Sequence, residues 1–131
     1  MLSALILTLF LSGCSKDDDS DPVPAANING EWKLFNVSNT SGIDDDFAPG
    51  VIKWTFNSNT NTVEVVNNNT DDTLESILPS GDYAYSLETN TSGTVCSQNF
   101  FIDSIDFGCY NLTATQLTIG NGDGIIIKLV R

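Results

Sequence analysis

From Gly30 to the end of the chain, apolar and polar residues alternate with a period of two, the repeat of a strand with one buried face. The clearest case is 51–57, where Ile52, Trp54 and Phe56 share one face and Lys53, Thr55 and Asn57 the other. In 81–88 the same alternation directs Tyr83, Tyr85 and Leu87 inward. No window keeps helical spacing over three turns. Asn57-Ser58-Asn59-Thr60-Asn61 and Gly120-Asn121-Gly122-Asp123-Gly124 are rich in residues that tolerate positive φ, as hairpin turns require. Eight strands are predicted, starting near Glu31, Val51, Thr62, Asp82, Val95, Ile105, Gln116 and Ile125. The expected fold is all-β, an eight-stranded up-and-down antiparallel barrel, because closure leaves no exposed edge. A β-sandwich is the alternative, since periodicity does not separate closure from stacking.

The start of the chain follows different rules. Residues 2–11 form an apolar run of ten, half of the roughly 20 that a spanning helix needs, as in the core of a signal peptide. No Lys or Arg precedes this run, which departs from the usual signal. Leu11-Ser12-Gly13-Cys14 resembles the processing site of bacterial lipoproteins. The resemblance implies that 1–13 is removed and that Cys14 carries fatty chains such as palmitate. At about 0.8 kcal/mol per buried methylene, two or more chains make a stable anchor. Ser15-Lys16-Asp17-Asp18-Asp19 resembles the export signal of Bacteroidota surface lipoproteins. It implies an outer-membrane protein facing the cell exterior, the periplasmic face being the alternative. Residues 14–29, with their acidic run and Pro22 and Pro24, read as a flexible tether to a domain over 30–131.

Seventeen acids against five bases give a net charge of −12, which argues against nucleic acid as a partner and against electrostatic adhesion to anionic lipid. The membrane link is therefore expected to be covalent. Three cysteines divide into Cys14 and a pair, Cys96 and Cys109, whose spacing suits a disulfide across a hairpin. Without histidine there is no His-based triad or proton shuttle, so neither catalytic residues nor a metal or other cofactor is expected. A carboxylate glycosidase is the distant enzymatic alternative.

Two short stretches resemble the ends of a lipocalin-like (calycin) barrel: Gly30-Glu31-Trp32 opening the first strand and Lys128-Leu129-Val130-Arg131 closing the last. Pro49-Gly50-Val51-Ile52-Lys53-Trp54-Thr55-Phe56 is similar to small lipocalin-like lipoproteins of Bacteroidota. The resemblance implies that Trp32 plugs the closed end and that Arg131 covers its indole. The first and third connections are then the longest at the other end, and Asp44, Asp45, Asp46, Asp71, Asp72, Glu75, Asp103 and Asp123 fall in the connections of that end, so an acidic mouth is expected. Trp54, Phe56, Tyr83 and Tyr85 either line a pocket or fill the barrel. The expected function is non-catalytic binding of a small apolar or amphiphilic ligand. A structural lipoprotein with a filled barrel and an envelope-protein partner is the alternative.

Overall fold

The computed structural model describes residues 27–89, 96–120 and 124–131. The signal-peptide reading, Cys14, Lys16 and the acidic run beside it, the strand start at Val95, and Asp123 lie outside the described residues. Within them the chain forms nine strands: β1 (Gly30–Ser38), β2 (Asp44–Asp46), β3 (Ile52–Asn57), β4 (Thr62–Asn67), β5 (Gly81–Thr89), β6 (Gln98–Ile102), β7 (Ile105–Leu112), β8 (Gln116–Gly120) and β9 (Ile126–Val130). From β3 onward every strand pairs antiparallel with its successor, and β9 returns to pair with β1. This is a closed eight-stranded up-and-down barrel with one extra strand. The two strand faces behave as the alternation requires: Ile52, Trp54 and Phe56 are buried, while Lys53 and Asn57 are not.

The extra strand corrects the reading of Asp44-Asp45-Asp46 as part of an open loop. Its three residues pair with Ser38, Val37 and Asn36 of β1. Asn36 is buried beneath them, and its Nδ2 donates to Asp44 Oδ1 at 2.9 Å and Asp46 Oδ1 at 2.8 Å. β2 and β3 are two pieces of one partner ladder along β1. Asn36 faces Asp46 whereas Lys33 faces Lys53, so three residues of β1 span seven of its partner. The excess loops out through Ala48-Pro49-Gly50, where Val51 N donates to Ala48 O and Gly50 has φ 88°. Proline before a positive-φ glycine is the chemistry of a type II turn, which explains the Pro49-Gly50 pair.

Barrel closure rests on the two ends of the sheet. Trp32 is fully buried and its Nε1 donates to Ile28 O at 2.7 Å. The Arg131 guanidinium lies 4.2 Å from the Trp32 ring centroid, within the range of a cation–π contact. It also donates to Asn29 O at 2.9 Å and Ala114 O at 3.2 Å, so one side chain fastens the entry of β1 to the β7–β8 turn. Ile28 and Asn29 thus belong to the packed base of the barrel. Ile28 is 7% exposed, and the Asn29 side chain bonds Ser58 in the β3–β4 turn.

One contact in the wall is unfavourable. Lys33 and Lys53 are directly opposite on the outer face of β1 and β3, where like charges repel. Lys53→Glu is expected to raise stability by about 0.5–1 kcal/mol, read as a thermal midpoint higher by a few degrees.

Candidate functional site

Because hairpins alternate, the connections β1–β3 (39–51), β4–β5 (68–80), β6–β7 (103–104) and β8–β9 (121–125) open at the end away from Trp32. Asp44, Asp45, Asp46, Asp71, Asp72, Glu75 and Asp103 all belong to these connections, whereas the turns 58–61 and 113–115 at the base carry no acid. The mouth is acidic, and its acids also serve as local staples. Asp45 Oδ2 accepts the backbone N–H of Glu75 at 2.9 Å, tying the first connection to the third. Asp71 accepts from the hydroxyl and N–H of Thr73, which holds its exposed carboxyl below the ordinary carboxylate range.

The long third connection folds over the mouth rather than away from it. Leu74, Ile77 and Leu78 are partly buried and pack against the core. Ile77 has φ 71°, and Leu78 N donates to Ser76 O across it, which together make a γ-turn of the rare positive-φ kind. A β-branched residue there is strained by roughly 1–3 kcal/mol, so surrounding packing must hold it.

Ile77 forms one wall of a cleft of about 360 Å³ at the mouth, completed by Asp106, Phe107, Gly108, Gly124 and Ile125. Its origin is in the sheet. β7 carries a bulge, since Phe100 faces Gly108 while Phe101 faces Asp106 and Phe107 has no partner between them. Among the described residues β8 pairs with β7 over 110–112, below the bulge. The cleft volume falls at the low end of small-molecule sites, about 300–1,000 Å³. Two large apolar side chains here are exposed: Ile125 of the lining at 37%, and Ile105, next in the chain to Asp106, at 62%. A second cleft, about 320 Å³, runs over the outer wall of β3, β4 and β5 and is lined by the polar and charged residues Thr55, Asn57, Thr62, Glu64 and Asp82.

The four aromatics singled out as pocket lining occupy different positions. Trp54, Phe56 and Tyr85 are buried in the core, with Phe56 edge-on to Tyr85 at 5.2 Å. Tyr83 is half-buried, and its hydroxyl donates to Pro79 O at 2.7 Å, steadying the end of the third connection. None of the four lines either cleft described above. Trp54 Nε1 is buried without an acceptor among the described residues.

Sequence reasoning missed Phe100 and Tyr110. Phe100 is fully buried and stacks between Tyr85 at 5.9 Å and Tyr110 at 6.3 Å. Phe100-Phe101 leaves the inward face ambiguous, and only register settles it. The disulfide Cys96–Cys109 forms beside this stack, with Cα atoms 5.7 Å apart.

Burial pushes the Tyr110 phenol up to about 12, helped by the neighbouring Tyr85 and opposed by the Arg131 charge. Burial also raises Tyr85. In the unfolded chain these groups ionise near 10, so above that pH the unfolded state loses protons that the native state retains. The tyrosine contribution to stability is therefore expected to be level below about pH 10 and to fall as pH rises toward 12. Urea midpoints across that window, set against the tyrosinate absorbance, check it.

Among the described residues no helix is long and apolar enough to cross a membrane. No family model matches the sequence, and no curated protein or solved structure matches it. The class that the fold defines is the closed up-and-down β-barrel.

Proposed function

We propose that this chain is a lipid-anchored envelope lipoprotein of lipocalin-like type that binds a small apolar or amphiphilic ligand, without catalysis, in the cleft at its mouth. The observation that carries the reading is that cleft: Ile77, Phe107 and Ile125 surround a ligand-sized volume beside the exposed Ile105. Apolar surface in a concave site gains about 25 cal/mol per Å² when a ligand covers it. The interior plays the other role, since stacked aromatics pack it as a rigid support. Anchoring follows from the resemblance around Cys14, which implies fatty chains on its sulfur and amine and a place at the outer membrane.

The neutral fluorophore N-phenyl-1-naphthylamine tests the site. Its emission is expected to rise on mixing with the protein, and Ile125→Asp is expected to weaken binding at least about tenfold, because a carboxylate is costly to bury against an apolar ligand. The variant's thermal midpoint should stay within a degree or two, since the side chain is 37% exposed. Palmitate labelling in a bacterial host, lost in Cys14→Ser, tests the anchor. The packed aromatic core favours a second reading, a structural lipoprotein whose rim contacts an envelope protein. A correctly folded protein that leaves the fluorophore dark supports that reading instead.

A further inference from the structure

We infer that the mouth cleft selects amphiphiles bearing a positive group, with Asp106 as the residue that receives it; this rests on the ligand-binding reading above and adds the sign of the ligand's charge. Among the described residues Asp106 is the one charged side chain in the cleft lining, beside three apolar side chains and two glycines. Its position is held from two sides. Gly108 N donates to Oδ1 at 2.7 Å, and Asn99 Nδ2 donates to Oδ2 at 3.2 Å. A carboxylate offers about four acceptor sites, so these bonds orient it and leave lone pairs for an ammonium group.

The surroundings reinforce the choice of sign. Among the described residues no base lines the cleft. Lys33, Lys53 and Lys128 lie on the strands β1, β3 and β9, alternating with buried Trp32, Leu34, Ile52, Trp54, Ile127 and Leu129, and therefore face outward. Arg131 is at the opposite end, over Trp32. The connections at the cleft's own end carry Asp45, Asp71, Asp72, Glu75 and Asp103. Carboxylates at that end attract a cation and oppose a carboxylate through a field that salt screens. An alkyl chain would lie against Ile77, Phe107 and Ile125 while its ammonium group donates to Asp106.

Three probes of equal chain length and different head group decide the matter: decylammonium, decanol and decanoate, titrated below their aggregation limits into the folded protein and followed by displacement of N-phenyl-1-naphthylamine. Decylammonium is expected to bind at least about tenfold tighter than decanoate, with decanol between them and the gap narrowing as salt is added. Asp106→Asn keeps an acceptor for Gly108 N and is expected to bring decylammonium most of the way down to the decanol value without weakening decanol. Equal binding of all three overturns charge selection while leaving the ligand site in place. Tighter decanoate also overturns it, and failure of all three overturns the ligand reading itself. The unmodified protein's ranking and salt dependence carry the test even where Asp106→Asn unfolds.

Discussion

Trp32→Ala is expected to lower unfolding stability by about 3–5 kcal/mol, the usual range for emptying a large aromatic site in a core. Several losses coincide at this position. The indole is fully buried, so its removal leaves a cavity at the base of the barrel. Its Nε1–H bond to Ile28 O disappears, and that carbonyl belongs to the segment leading into β1. Arg131 keeps its bonds to Asn29 and Ala114 but loses the ring it covers. Typical domains hold only about 5–15 kcal/mol, so the variant is expected to be partly unfolded near 37 °C. Trp32→Phe separates the contributions. It retains a smaller ring for the guanidinium, orphans the Ile28 carbonyl at about 1–3 kcal/mol and leaves only part of the indole's space empty. Urea unfolding followed by the remaining Trp54 measures both, and an alanine variant as stable as the phenylalanine variant would show that the ring itself contributes little.

Much of this architecture is legible in the sequence because a barrel wall buries one face along its whole length. Alternation then reports orientation strand by strand: the observed starts at Gly30, Ile52, Thr62, Gly81, Ile105, Gln116 and Ile126 fall within one residue of those read from the pattern. The acidic end was also legible, since alternating hairpins assign each connection to one end. What escaped depends on register. Asp44-Asp45-Asp46 looks like a solvated loop, and only the amide of Asn36, reached across the ladder, makes it a strand. The bulge at Phe107 is a mismatch between β6 and β7 and leaves no mark in either strand's own composition. The cleft escaped for the same reason. It is built from Ile77, which sits on a strained turn, and from residues 106–108 at the bulge of β7, neither of which follows a period. The inward aromatics, by contrast, announce a core as readily as a pocket, and here Trp54, Phe56 and Tyr85 serve the core.

That contrast puts the demands on stability and on binding in different parts of the molecule, and Gly120 is where they meet. Gly120→Ala is expected to cost at least about 3 kcal/mol, in the range reserved for backbone conflict rather than lost contacts. Gly120 ends β8 with φ 127°, a conformation that an L side chain rarely adopts. A Cβ there would stand 2.1 Å from Ile125 O and 2.9 Å from Ile126 Cα, so the close approach of β8 to the start of β9 requires the missing side chain. Both neighbours are backbone, and rotating a side chain cannot relieve the clash. The strands must separate at the pair Gly120–Ile126, which carries Ile125 and Gly124 away from Ile77 and Phe107. The variant should therefore lose binding of N-phenyl-1-naphthylamine more completely than Ile125→Asp, and amide exchange should quicken at Ile119 and Ile127 before it does in β3 and β4. Unchanged exchange at those positions, with binding intact, would mean that the turn accommodates a methyl group and that the cleft does not depend on this approach.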